Sequence, residues 1–94
     1  MKASKVDSNQ KEIVTALRRV GAVVLITSML KNAFDILVGY KGKLYIVEIK
    51  DGKKPSSQRK LTEGELKCKN MFESVGVKYN VITTIDEAFK MIGL

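Results

Sequence analysis

The apolar patterning of the chain predicts an α/β (α+β) domain: a mixed sheet flanked by helices, with elements in the order α-β-β-β-α-β-α. Three observations predict it. Apolar residues recur at helical spacing near the N-terminus and again in two stretches of the second half. Between the first and second helical stretches lie three runs rich in β-branched and large apolar residues. A polar segment containing the only proline then separates the strand-rich part from the next helix.

Each element has its own signals. Asp7 to about Val20 reads as a helix, because Ile13, Val14, Leu17 and Val20 fall on one face. Asp7 followed by Gln10 resembles a capping box, and Gly21 suits the position after the helix end. Ala22 to Thr27 is a strand, followed by strands over Phe34 to Tyr40 and Lys43 to Lys50. Lys41-Gly42 is short enough to be the hairpin turn between the last two. Asp51 to Lys60 is a loop. Thr62 to Val75 reads as the second helix, with Thr62-Glu63-Gly64-Glu65 as a capping box and Cys68, Phe72 and Val75 on one face. Tyr79 to Ile82 is a short strand, and Thr84 caps a last helix whose apolar face is Ile85, Ala88, Phe89 and Ile92.

Length and composition bound the function. Residues 1–94 make a single domain. A chain of this size buries only about 60–65% of its unfolded surface, so its core is small and self-association is a natural supplement. No apolar run approaches the ~20 residues that a membrane span needs. The opening Met1-Lys2-Ala3-Ser4-Lys5 has no apolar stretch behind it, so neither a signal peptide nor a membrane partner is expected and a cytoplasmic location is. There is no histidine, which excludes Ser-His-Asp chemistry and His-ligated zinc. The single cysteine, Cys68, excludes an internal disulfide and is expected to pack in the core.

Seventeen basic against ten acidic residues give a net charge of +7 and a pI near 9.6, which points to a polyanionic partner. Seven of the basic residues fall between Lys41 and Lys60, against Glu48 and Asp51. Lys53, Lys54, Arg59 and Lys60, with Ser57 among them, are candidate DNA phosphate contacts. No element looks suited to reading bases in the major groove, so recognition by shape is expected.

The sharpest feature is Asp35 followed, after twelve residues, by Glu48-Ile49-Lys50. Each polar residue interrupts a run that otherwise reads as buried strand. Strand side chains alternate, so Leu44, Ile46, Glu48 and Lys50 share a face, expected to be a core face that opens into a site. Two carboxylates and a lysine at strand ends can hold Mg²⁺ and a phosphodiester. The cation would be held by Asp35, Glu48 and the main-chain oxygen of Ile49, with Lys50 on the attacking water or the phosphate. The plainer reading pairs Lys50 with one of the acids. Glu12, on the first helix, is either a further metal ligand or an exposed acid. Glu65 is read as the capping-box glutamate, and Gln58 as a loop residue that could touch DNA or simply face solvent. Tyr40 and Tyr45 either stack on bases or pack on neighbouring strands. Tyr40, Tyr45, Met71 and Phe72 are a candidate self-association face.

Asp35-x12-Glu48-Ile49-Lys50 after an opening helix resembles the PD-(D/E)XK nuclease superfamily, with Phe34 where the pattern has proline. The longer string is more specific. It runs from Asp35 to Tyr40, from Val47 through Lys53-Lys54-Pro55 to Ser57, and from Arg59 to Thr62. It resembles the small stand-alone VRR-NUC (virus-type replication-repair nuclease) domains of phages and bacteria, over nearly the whole chain. The resemblance implies a restriction-endonuclease-like core, Mg²⁺ or Mn²⁺, cleavage of branched DNA such as a four-way (Holliday) junction, and a homodimer in the host cytoplasm. It makes Asp35 and Glu48 metal ligands, Lys50 the catalytic lysine, and Glu12 the match to an acid of the first helix. Some members have glutamine early in the second helix, where this chain has Glu65. Two other readings stand beside it: a non-catalytic basic module that binds nucleic acid, and a nuclease for flaps, nicks or forks.

Overall fold

The computed structural model describes residues 8–55, 57 and 60–94. The elements are α1 (Gln10–Arg19), β1 (Val23–Ile26), β2 (Ile36–Tyr40), β3 (Lys43–Ile49), α2 (Glu63–Ser74), β4 (Tyr79–Ile82) and α3 (Ile85–Met91). Their order is the one expected. The proposed Asp7 cap, Gln58 and Arg59 lie outside the described residues.

The four strands form one sheet in the order β1-β2-β3-β4. β1 pairs antiparallel with β2, and β2 antiparallel with β3. Lys41 and Gly42 turn the β2–β3 hairpin with φ of 48° and 81°. Two successive positive φ values match the twist of the flanking strands, and glycine takes that conformation without steric cost. β4 lies parallel to β3, with α2 as the crossover that a parallel pair needs. The sheet is therefore mixed.

One face of the sheet carries the core. Val24, Ile36, Val38, Val47, Ile49 and Ile82 point to that side and pack against Ile13, Val14 and Leu17 of α1 and Ala88 and Ile92 of α3. Burying each such side chain is worth about 1.5–3 kcal/mol. Tyr40 and Tyr45 pack against the same cluster. They thus sit away from the α2 side, and the expected self-association face joining them to Met71 and Phe72 does not exist as drawn.

The alternate residues of β3 face the other way, towards α2. This corrects a second expectation: Leu44, Ile46, Glu48 and Lys50 share a face, but not the face of the main core. Leu44 is 70% exposed, and only Ile46 and Glu48 are covered. The reason lies in α2, which has no full apolar stripe and buries none of its residues. Phe72 reaches inward to an edge-to-face contact with Phe34, at 6.2 Å between ring centres. Cys68 is half-buried and outside the core cluster, and Val75 is turned out to solvent.

Candidate active site

The carboxylates stand on this second face because the sheet register brings them there. Asp35 lies one residue before β2, yet its N–H donates to the Val47 carbonyl at 2.9 Å and its carbonyl accepts from Thr27 at 2.8 Å. Continuing the Ile36–Val47 pairing by one step sets Asp35 opposite Glu48. The Asp35 carboxylate accepts a hydrogen bond from the Ile49 N–H at 2.7 Å. A residue's N–H and C=O point to the same side of an extended strand, so the Ile49 carbonyl oxygen is also directed towards Asp35.

Lys50 is held at its backbone by the next strand, donating to Ile82 at 3.0 Å, while its own carbonyl accepts from the Asn9 side chain at 3.0 Å. Its ammonium lies 2.8 Å from Glu65 Oε1 and 3.3 Å from Glu48 Oε2. Glu65 is also the expected capping-box residue. Its carboxylate accepts from the Thr62 N–H at 2.9 Å, and its own N–H donates to Thr62 Oγ1 at 3.2 Å. One side chain therefore starts α2 and binds the lysine.

The electrostatics are those of a site with surplus negative charge. Glu48 is only 4% exposed. Burial, then the neighbouring Asp35 charge and a hydrogen bond with Glu65, push its carboxyl up to about 9. Burial would lower the Lys50 ammonium, but the hydrogen bond to Glu65 and the charges of Glu48 and Glu65 outweigh it and raise it. Burial would raise Glu65, and the hydrogen bonds from Lys50 and Thr62 bring it below the usual carboxylate range instead.

These groups line a cleft of about 330 Å³, together with Lys54 and residues of the β1–β2 connection. A larger depression of about 800 Å³ runs along β4 and carries Lys43, Lys78 and Lys90 with one carboxylate, Glu87, already hydrogen-bonded to Thr83. Among the described residues no three His, Cys, Asp or Glu side chains are grouped to hold a metal ion. The cleft is lined by the carboxylates of Asp35, Glu48 and Glu65, the last of them already bonded to Lys50 and the Thr62 N–H, and by Ile49, whose carbonyl oxygen lies on the Asp35 side. An all-oxygen set that supplies part of the coordination and leaves the rest to water and substrate fits Mg²⁺ or Mn²⁺.

Other expected residues are distributed unevenly. Lys54 lines the cleft. Lys53 and Glu12 instead border a separate cavity with Asp51 and Asp86, so Glu12 is not brought to Asp35 and Glu48. Ser57 and Lys60 are exposed. Sequence reasoning missed Asn9, whose amide group ties Lys50 and Thr83 together through their carbonyls at 3.0 and 2.8 Å. It sits where a capping residue would, but makes no cap bond. Tyr79 was also missed. It is buried beside this face and donates its hydroxyl to Ala33 at 2.8 Å, holding the β1–β2 connection.

A solved structure described as "VRR_NUC domain" matches the chain with a TM-score of 0.67, over 96% of each chain and at 24% identity. The chain has the VRR_NUC fold. No protein-family model matches it, and no curated protein is significantly similar in sequence. At this identity the likeness concerns the fold, and it agrees with the family suggested by Asp35 and Glu48-Ile49-Lys50. Among the described residues no helix is long and apolar enough to cross a membrane.

Proposed function

We propose that this protein is a Mg²⁺- or Mn²⁺-dependent, structure-selective DNA endonuclease that hydrolyses phosphodiester bonds in four-way junctions, acting as a homodimer in the cytoplasm. The observation that carries this reading is the convergence of Asp35, Glu48 and Lys50 in one cleft of a VRR_NUC fold.

Asp35, Glu48 and the Ile49 carbonyl are the groups that hold the cation. A bound divalent ion supplies Lewis acidity and makes its water a stronger nucleophile. Lys50 is a compact point charge at the cleft, suited to orienting that water or to neutralising a phosphate oxygen. Glu65 keeps the ammonium beside Glu48. Lys54 meets a phosphate next to the cleft, while Lys53, Ser57, Arg59 and Lys60 extend contacts along the backbone. Phosphate contacts give affinity and register without sequence information. A homodimer suits a junction, which presents two symmetry-related strands. The uncovered apolar side chains of Val23, Leu44 and Met71, each at least 70% exposed, supply a surface for it.

One observation favours a second reading. Lys50 is already engaged by two carboxylates, as a purely structural ion pair would be. On that reading the protein binds nucleic acid and cuts nothing. The separating experiment is incubation of the purified protein with a labelled, immobile four-way junction, with and without Mg²⁺ or Mn²⁺, beside Asp35→Ala. Paired nicks that need the metal and vanish in the variant, while junction binding persists, support the resolvase. Cuts confined to flaps or nicks move the substrate within the nuclease class. Tight binding without product in either metal establishes the non-catalytic reading.

A further inference from the structure

The connection between β1 and β2 walls one side of the cleft and carries two side chains for which the fold has no use. Met29 and Leu30 are 65% and 54% exposed and lie outside the core cluster. The segment that presents them is braced. The Thr27 N–H donates to the Asp35 carbonyl at 2.8 Å, the Thr27 hydroxyl to Phe34 at 2.8 Å, and the Leu30 N–H to Thr27 at 2.9 Å. Asn32, at φ 59°, lodges against Gly64 of α2, where a Cβ would collide with its side chain. The segment is therefore hydrogen-bonded to the chain just before β2 at one end and lies beside the start of α2 at the other. Leu30 and Lys31 face the same cleft as Lys50 and Lys54.

An apolar surface set among cations, beside the cleft that holds Asp35 and Glu48, matches one part of a nucleic acid. That part is the face of a base that has lost its stacking neighbour. Continuous duplex offers phosphates to Lys31 and Lys54 but keeps its base faces covered. A branch point uncovers them, and side chains such as Leu and Met fill disrupted base steps. We propose that Met29 and Leu30 pack on the unstacked base at a branch point while Lys31 holds the adjoining phosphate, so that this tip selects interrupted over continuous DNA. The inference rests on the nuclease reading and names the feature of the substrate that its cleft selects.

The test places 2-aminopurine at the branch of a four-way junction and, separately, within a continuous duplex. Each DNA is titrated with the wild-type protein without divalent cation, and cleavage is then followed in Mg²⁺. The wild type is expected to raise the fluorescence on the junction and leave the duplex unchanged. The double variant Met29→Ser/Leu30→Ser should keep its melting temperature and its duplex affinity, lose the fluorescence rise, and lose about tenfold in preference for junction over duplex. Leu30→Phe should restore both, since an aromatic ring also covers a base. Unchanged fluorescence and preference in the double variant would overturn the inference alone. So would loss of self-association in sedimentation with preference intact, which would assign the tip to a second copy of the chain. Failure of the wild type to bind either DNA would instead overturn the nuclease reading beneath it.

Discussion

The two faces of the sheet differ in nearly every respect although the same strands build both. On the α1/α3 side, Ile36, Val38, Val47 and Ile49 are sealed beneath two helices. On the α2 side, the alternate residues include Asp35, Glu48 and Lys50, and the covering helix buries none of its own residues. Stability resides on the first face and ionisable chemistry on the second. In a domain this small the arrangement has a cost: every residue given to the site is one withheld from the core, and Val23 and Leu44 stay uncovered.

Substitutions can break this division, and the largest effect is expected on chemistry. Lys50→Ala should lower kcat by about 10²–10³, since it removes a fixed charge where transition-state charge develops. Its melting temperature should also fall, because Glu48 and Glu65 lose the cation that offsets their burial. Cleavage per folded molecule that stays at the wild-type level would place Lys50 among the structural residues. Leu17→Ala on the opposite face should act on stability alone. It should lose about 3 kcal/mol in denaturant unfolding by opening a cavity under α1, while cleavage per folded molecule at low temperature stays near wild type.

A smaller effect is expected from pH. Glu48 keeps its proton to about 9 when folded, against 4.5 for a freely solvated glutamate. The unfolded chain therefore releases a proton that the native state retains. Stability from this group is complete below about 4.5 and falls as pH rises towards 9. Glu65 shifts the other way and is ionised in both states across that window. In metal-free melts the wild type should lose stability with rising pH, and Glu48→Gln should flatten the slope. Equal slopes would contradict the burial of this carboxyl. The smallest expected effect is at Gln10, buried with its Oε1 lacking a hydrogen-bond partner among the described residues. Gln10→Met should stabilise by about 1 kcal/mol in the same unfolding assay. A loss instead would reveal a partner for that oxygen.

The order of elements was legible because helical and strand periodicities along this chain are clean. Thr62 and Glu65 announced α2, and Lys41-Gly42 announced the hairpin. Which face of β3 would be buried was less legible. Val47 and Ile49 alternate with Ile46 and Leu44, so both faces read as apolar, and only the packing of α1 and α3 decides between them. Asp35 and Glu48 stood out because an acid in an apolar strand needs a compensating partner. Asn9 did not, because its bonds to Lys50 and Thr83 span 41 and 74 residues. The second role of Glu65 was hidden for a similar reason. A capping box accounts fully for the residue within its own helix, and its ion pair with Lys50 is made only by the fold.

The central claim is that Asp35 and Glu48 form a cation-holding pair on the lightly covered face. Its most direct measurement is Mn²⁺ titration followed by the paramagnetic resonance of the free ion, with the wild type beside a folded Asp35→Ala variant. Uptake by the wild type that disappears in the variant is the predicted result. No uptake by the wild type, or equal uptake by both, would contradict the account.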